Sequence, residues 1–143
     1  MINPLLNKYD VQKMELIETL YWQRLYERRG THQRGTIDNV YFIHLEGTGM
    51  FLMPDEDILA FNRVIGLGLF RKTDNDFIEN ITDIYKIAGI KRFFIQLNPM
   101  AHHKTEDLLV SKGFEYYNDW VKLFRHLDTP IPPAESDFKI VNV

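Results

Sequence analysis

The chain has 143 residues, 45% of them hydrophobic and 13% aromatic, which suits one domain with one core and argues against disorder. Seventeen Lys and Arg against 20 Asp and Glu leave a net charge of −3, so sequence-independent nucleic-acid binding, which needs basic surface, is not expected. There is no cysteine, which excludes disulfides, thiolate zinc sites and a cysteine nucleophile. No N-terminal apolar run is long enough for a signal peptide or a membrane span, and the expectation is a soluble, cytoplasmic protein without a membrane partner.

In chain order, residues 4–29 predict a helix. Val11, Met14, Ile17, Leu20, Tyr21, Leu25 and Tyr26 recur at three- and four-residue steps, Asp10 can cap the main segment, and Gly30 can end it. The polar stretch 31–38 predicts a loop. "NVYFIHLE", "GTG" and "MFLMP" predict a strand, a tight turn and a second strand. "ILAFNRVIGLG", residues 58–68, is uncharged apart from Arg63 and reads mostly as strand. A helix follows from about Asp74 to Ala88, capped by Thr73 or Asp74 and ended by Gly89, with Phe77, Ile78, Ile81, Ile84, Tyr85 and Ala88 on its apolar face. "KRFFIQL" predicts a short buried strand, "AHHKTEDLLVSKG" a short helix, and "FEYYNDWVKLFRHL", residues 114–127, a last long strand. Residues 128–137 carry three prolines and predict a linker; 138–143 predict one more strand. The strand–helix–strand unit around Asp74 calls for a parallel crossover and the hairpin for an antiparallel part. The fold class is therefore α/β: a mixed, mostly antiparallel sheet with helices on both faces.

Through "FNRVIGLG", "RFFIQLNP" and "GFEYYNDWVKLFR", residues 36–125 resemble the GNAT superfamily of N-acetyltransferases, and more narrowly the degenerate N-terminal domain of two-domain GNAT-like proteins. The resemblance implies a GNAT-like domain over 1–127, a linker over 128–137, and in 138–143 the first strand of a second GNAT domain, the chain then being a fragment. It also implies acetyl-CoA as cofactor. The implied partner is the C-terminal GNAT domain of the same protein, or a second copy of this chain in a homodimer.

Arg63, Gly66 and Gly68 spell Arg-x-x-Gly-x-Gly. In GNAT enzymes such a stretch leads straight into the crossover helix, and its backbone N–H groups hold the acetyl-CoA pyrophosphate. By that resemblance Gly66, Gly68, Leu69, Phe70, Arg71, Lys72 and Thr73 are the cofactor-binding candidates. The residues themselves favour a strand followed by a self-capped helix. Val64, Ile65, Leu67, Leu69 and Phe70 are bulky, the helix signal begins only at Thr73, and Asp74 and Asp76 put negative charge where a phosphate would sit.

The resemblance places the general-acid tyrosine of active members at Leu109, within "LLVSKGF", and leucine has no proton to give. Gly113 and Phe114 match as framework positions. The remaining catalytic candidates are Glu46 or His44, which share a face by strand alternation, as a base acting through water, and Tyr116 as an acid. His102, His103 and Glu106 are loosely metal-like in spacing, but a solvated helix start is the better reading and no metal is expected. Tyr116, Tyr117, Trp120 and Phe124 are expected in the core, on a strand covered on both sides. Three functions follow: a degenerate GNAT-like domain supporting a C-terminal acetyltransferase domain, an active acyltransferase using acetyl-CoA, or a non-catalytic small-molecule sensor or interaction module.

Overall fold

The computed structural model describes residues 6–32, with backbone only from 29 onward, and residues 39–122; the linker and the strand expected at 138–143 lie outside the described residues. The elements are α1 (Lys8–His32), β1 (Tyr41–Leu45), β2 (Thr48–Leu52), a 3₁₀ turn (Leu59–Phe61), β3 (Arg63–Ile65), α2 (Asn75–Ile87), β4 (Phe94–Gln96) and α3 (Thr105–Ser111). The strands form one sheet in the order β1-β2-β3-β4. The first two pairings are antiparallel and β3–β4 is parallel, with α2 as the crossover. The mixed α/β sheet is thus observed.

α1 opens on a reciprocal cap. The Asp10 N–H donates to Asn7 Oδ1 at 3.1 Å, and the Asn7 N–H donates to Asp10 Oδ2 at 3.3 Å. The helix runs through Gly30 to His32, three residues past the predicted 4–29, because one interior glycine costs only about 1 kcal/mol. The hairpin between β1 and β2 turns at Glu46 and Gly47, with φ of 52° and 82°, so Thr48 and Gly49 belong to β2 and not to the turn. Gly49 is needed for close approach instead: a Cβ there would sit 2.7 Å from Thr19 Cγ2, where α1 crosses the sheet.

Alternation along the strands builds two cores. Met50, Leu52, Val64 and Leu67 face Phe77, Ile78, Ile81 and Tyr85 of α2 and Leu109 of α3. Phe51, Met53 and Ile65 face the other way, onto Tyr26 and Trp22 of α1. Helices therefore cover both faces. α2 behaves as its sequence predicts: Asp74 is the N-cap, its Oδ1 accepting the Phe77 N–H at 2.9 Å, and Gly89 closes the helix at φ 76°. The Tyr85 hydroxyl reaches the sheet backbone, 2.7 Å from the Arg63 carbonyl and 3.0 Å from that of Phe51. The Asn62 amide continues the β2–β3 ladder by side chain, accepting the Met53 N–H at 2.8 Å.

Three expectations are corrected. The buried side of α1 is Val11, Glu15, Thr19 and Tyr26, while Ile17, Leu20, Tyr21 and Leu25 are exposed; apolar residues surround this helix, so their period does not select the inward face. The strand expected over 58–68 is cut to Arg63–Ile65, by the 3₁₀ turn before it and by Gly66 and Gly68 at φ 85° and 73° after it. Residues 114–122 form no regular strand. Phe114 is anchored by its N–H to the Leu109 carbonyl at 3.1 Å and by its ring against Phe93, and Lys122 is drawn to α1, so the stretch runs as a strap and not along a sheet edge. Tyr116, Tyr117 and Trp120 are consequently exposed and not in the core; Phe124 lies outside the described residues.

Candidate functional site

The glycine loop, residues 66–74, closes on its own chain. The Leu69 N–H returns to the Gly66 carbonyl at 3.2 Å. Gly68 offers no open concavity: a Cβ there would lie 2.5 Å from Thr105 Oγ1, and the Gly68 carbonyl accepts the His102 N–H at 2.8 Å. Thr73 is buried, its hydroxyl 3.4 Å from that of Thr105. Leu69 is fully buried and its carbonyl accepts from Gln12 Nε2 at 2.9 Å. Phe70 lies across the hairpin turn, its ring filling the space beside Gly47. Arg71 is held between two carboxylates, Glu46 and Asp74, the latter at 3.1 Å. Lys72 is exposed. The loop thus brings the candidates Glu46 and Arg71 together as an ion pair.

The other candidates are scattered. Glu46 sits in the turn, which ends the alternation that would put it on one face with His44; His44 is exposed on β1 and stacks near Phe42, ring centroids 6.3 Å apart. Tyr116 is 78% exposed on the strap, and its pKa is raised by loss of hydration and by Asp119. Leu109 is a core residue beside α2. The rings of His102 and His103 stack at 4.4 Å, and partial burial together with His103, Lys72 and Lys104 lowers the pKa of His102. Among the described residues no three His, Asp or Glu side chains are placed to hold a metal ion, and no helix is long and apolar enough to cross a membrane.

A second constellation lies on the α1 face. Arg63, the one charged residue of its apolar stretch, points by alternation toward α1 and is fully buried. Its guanidinium stacks on Trp22 at 3.7 Å from the ring centroid, with Trp120 at 5.7 Å and Phe94 at 5.9 Å. Its nearest counter-charge is Glu18, 3.9 Å away, too far for a hydrogen bond. Burial lowers its pKa, and Glu18 opposes that shift.

Four further polar side chains complete the cluster. Glu15 on α1 is as buried as a core leucine. One of its oxygens accepts from Asn98 Nδ2 at 3.0 Å and from Lys122. Lys122 also reaches Glu18 at 2.5 Å, and Gln96 Nε2 donates to Glu18 at 3.1 Å. Two acids and two bases balance to zero. Their hydrogen bonds do not balance. Arg63 Nε, Nη1 and Nη2, Glu15 Oε2 and Gln96 Oε1 are buried without a partner, and among the described residues these are the buried side-chain polar atoms in that state. Each such group costs about 1–3 kcal/mol relative to a bonded one, so their convergence in one place requires an explanation.

Sequence reading missed Glu15, Glu18, Gln96 and Lys122 as members of a common site. The available signal was Arg63, a lone charge on a strand whose alternation turns it inward. Comparisons with protein-family models, with curated proteins and with solved structures return no match for this chain.

Proposed function

We propose that this chain is a GNAT-like domain without a working cofactor cradle of its own, and that it supports a C-terminal acetyl-CoA-dependent N-acetyltransferase domain. The observation that carries this reading is the self-filled glycine loop. Thr105 occupies the space beside Gly68, and Glu46 and Asp74 already neutralise Arg71, the cation best placed to meet a pyrophosphate. The element order of helix, hairpin, strand, helix, strand and helix supports the family resemblance. Leu109, committed to the hydrophobic core, supports the absence of a general acid at that position. The exposed Tyr116, Tyr117, Trp120 and Val121 supply apolar surface for a partner domain to cover.

Calorimetric titration of acetyl-CoA into the folded 143-residue chain tests the reading. No heat of binding up to about millimolar ligand is expected, an affinity weaker than roughly −4 kcal/mol. A micromolar dissociation constant that Arg71→Ala and Lys72→Ala abolish would overturn it in favour of an acyltransferase, with cofactor along Leu67 to Thr73.

A further inference from the structure

The unsatisfied cluster on the α1 face points to a different ligand, independent of the glycine loop. We infer that Arg63, Glu15 and Gln96, beneath the strap 114–122, form a binding site for a small zwitterion bearing a carboxylate and an ammonium group, as a free amino acid does.

Three guanidinium nitrogens of Arg63 have N–H groups to give and nothing to receive them. Glu15 Oε2 and Gln96 Oε1 have lone pairs and no donor. A guest that serves all of them accepts from Arg63 and donates to Glu15 and Gln96. The planar fork of Arg63 suits a carboxylate, and the two oxygens suit an ammonium. Charge narrows the class further. Glu15, Glu18, Arg63 and Lys122 already sum to zero, so a lone anion or cation would bring a net charge into a site where charge is poorly solvated. A zwitterion keeps the sum at zero.

The aromatic rings of Trp22 and Trp120 flank the guanidinium and would shield the carboxylate contact from water. The strap is the part of the chain over the site with the fewest contacts to hold it. It has no regular secondary structure, residues Glu115 to Val121 are exposed, and its contacts with the site are Trp120 and Lys122. Binding requires Lys122 to leave Glu15 and Glu18 as the guest enters and to return afterwards, which restores the zero sum.

Thermal unfolding of the full chain tests this, with free amino acids from glycine upward as probes at about 10 mM, a concentration that stabilises measurably when the dissociation constant is millimolar or below. At least one amino acid is expected to raise the midpoint by about 3 °C. Acetate and methylammonium, each carrying half of the charge pattern, are expected to shift it by less. Trimethylglycine, a zwitterion without N–H donors, is expected to give no shift, which separates binding from solvent effects. Glu15→Gln, nearly isosteric, and Arg63→Lys should each abolish the amino-acid shift. No shift with any amino acid would mean that buried water serves these atoms, and the proposal fails. A shift equalled by acetate or by trimethylglycine, or kept in Glu15→Gln, also overturns it. If Arg63→Lys does not fold, the comparison of probes on the unsubstituted chain still decides. None of these outcomes depends on whether acetyl-CoA binds.

Discussion

The two faces of the sheet are built to different rules. Toward α2 and α3 the strands present Met50, Leu52, Val64 and Leu67, and the helices answer with Phe77, Ile78 and Ile81. The polar group that reaches in there, the Tyr85 hydroxyl, is fully used on backbone carbonyls. Toward α1 the same strands present Phe51 and Ile65 alongside Arg63 and Gln96, and the helix answers with Glu15 and Glu18. One face is a closed apolar core; the other buries a charged network whose hydrogen bonds are incomplete. A fold that already has one sound core does not need the second arrangement for cohesion, since apolar residues of similar size would hold α1 at least as well. The α1 face is the place to look for work other than folding.

Perturbing each face should expose this difference, and the largest effect belongs to the apolar side. Ile81→Ala removes a fully buried side chain between α2 and the sheet and is expected to cost about 3 kcal/mol by urea denaturation. A loss below about 1 kcal/mol would mean that this face is loosely packed. Next comes Tyr85→Phe, expected to cost about 2 kcal/mol because the one buried O–H donor that the Arg63 and Phe51 carbonyls share is lost. Its pH signature is specific. Burial raises the Tyr85 phenol well above its ordinary value of 10.0, so the unfolded chain releases that proton first and native stability falls as pH rises above about 10. The substituted chain should lack that part of the alkaline slope.

On the polar side, the pair Lys122–Glu15 should show coupling more than net stability. Glu15→Gln and Lys122→Met, alone and together, are expected to give an interaction energy of about 1 kcal/mol in a double-mutant cycle. A coupling near zero would detach the strap from α1 and with it the description of this face.

What could be read in advance divides along the same line. α2 was legible to its cap, since Asp74 and the spacing of Phe77, Ile78, Ile81 and Tyr85 are local signals. The mixed sheet and its parallel crossover were legible from element order. α1 was legible as a helix but not in its orientation, because Glu15 and Thr19 are inward for reasons that lie on other elements: Lys122, Asn98 and the bare backbone of Gly49. The strand read over 114–127 failed in its described part for a similar reason. Its alternation was sound locally, but its end answers to the acids of α1. At the glycine loop, Arg63, Gly66 and Gly68 match a cofactor pattern by spacing, yet spacing does not say that the arginine faces α1 while Gly66 packs under the hairpin turn and Gly68 against Thr105.

The smallest expected effect is the control for the rest. Arg71–Glu46 is also an Arg or Lys paired with a Glu, but both side chains are substantially open to water. Two mobile charges gain little from each other when solvent already stabilises both, and holding them costs side-chain entropy. Glu46→Gln is therefore expected to change stability by less than about 0.5 kcal/mol, and that change should shrink further in high salt. The Lys122–Glu15 coupling should keep more of its size in the same salt, because Glu15 is excluded from solvent. If both pairs respond alike, Glu15 is better hydrated than its position implies, and the contrast between the two faces of the sheet disappears.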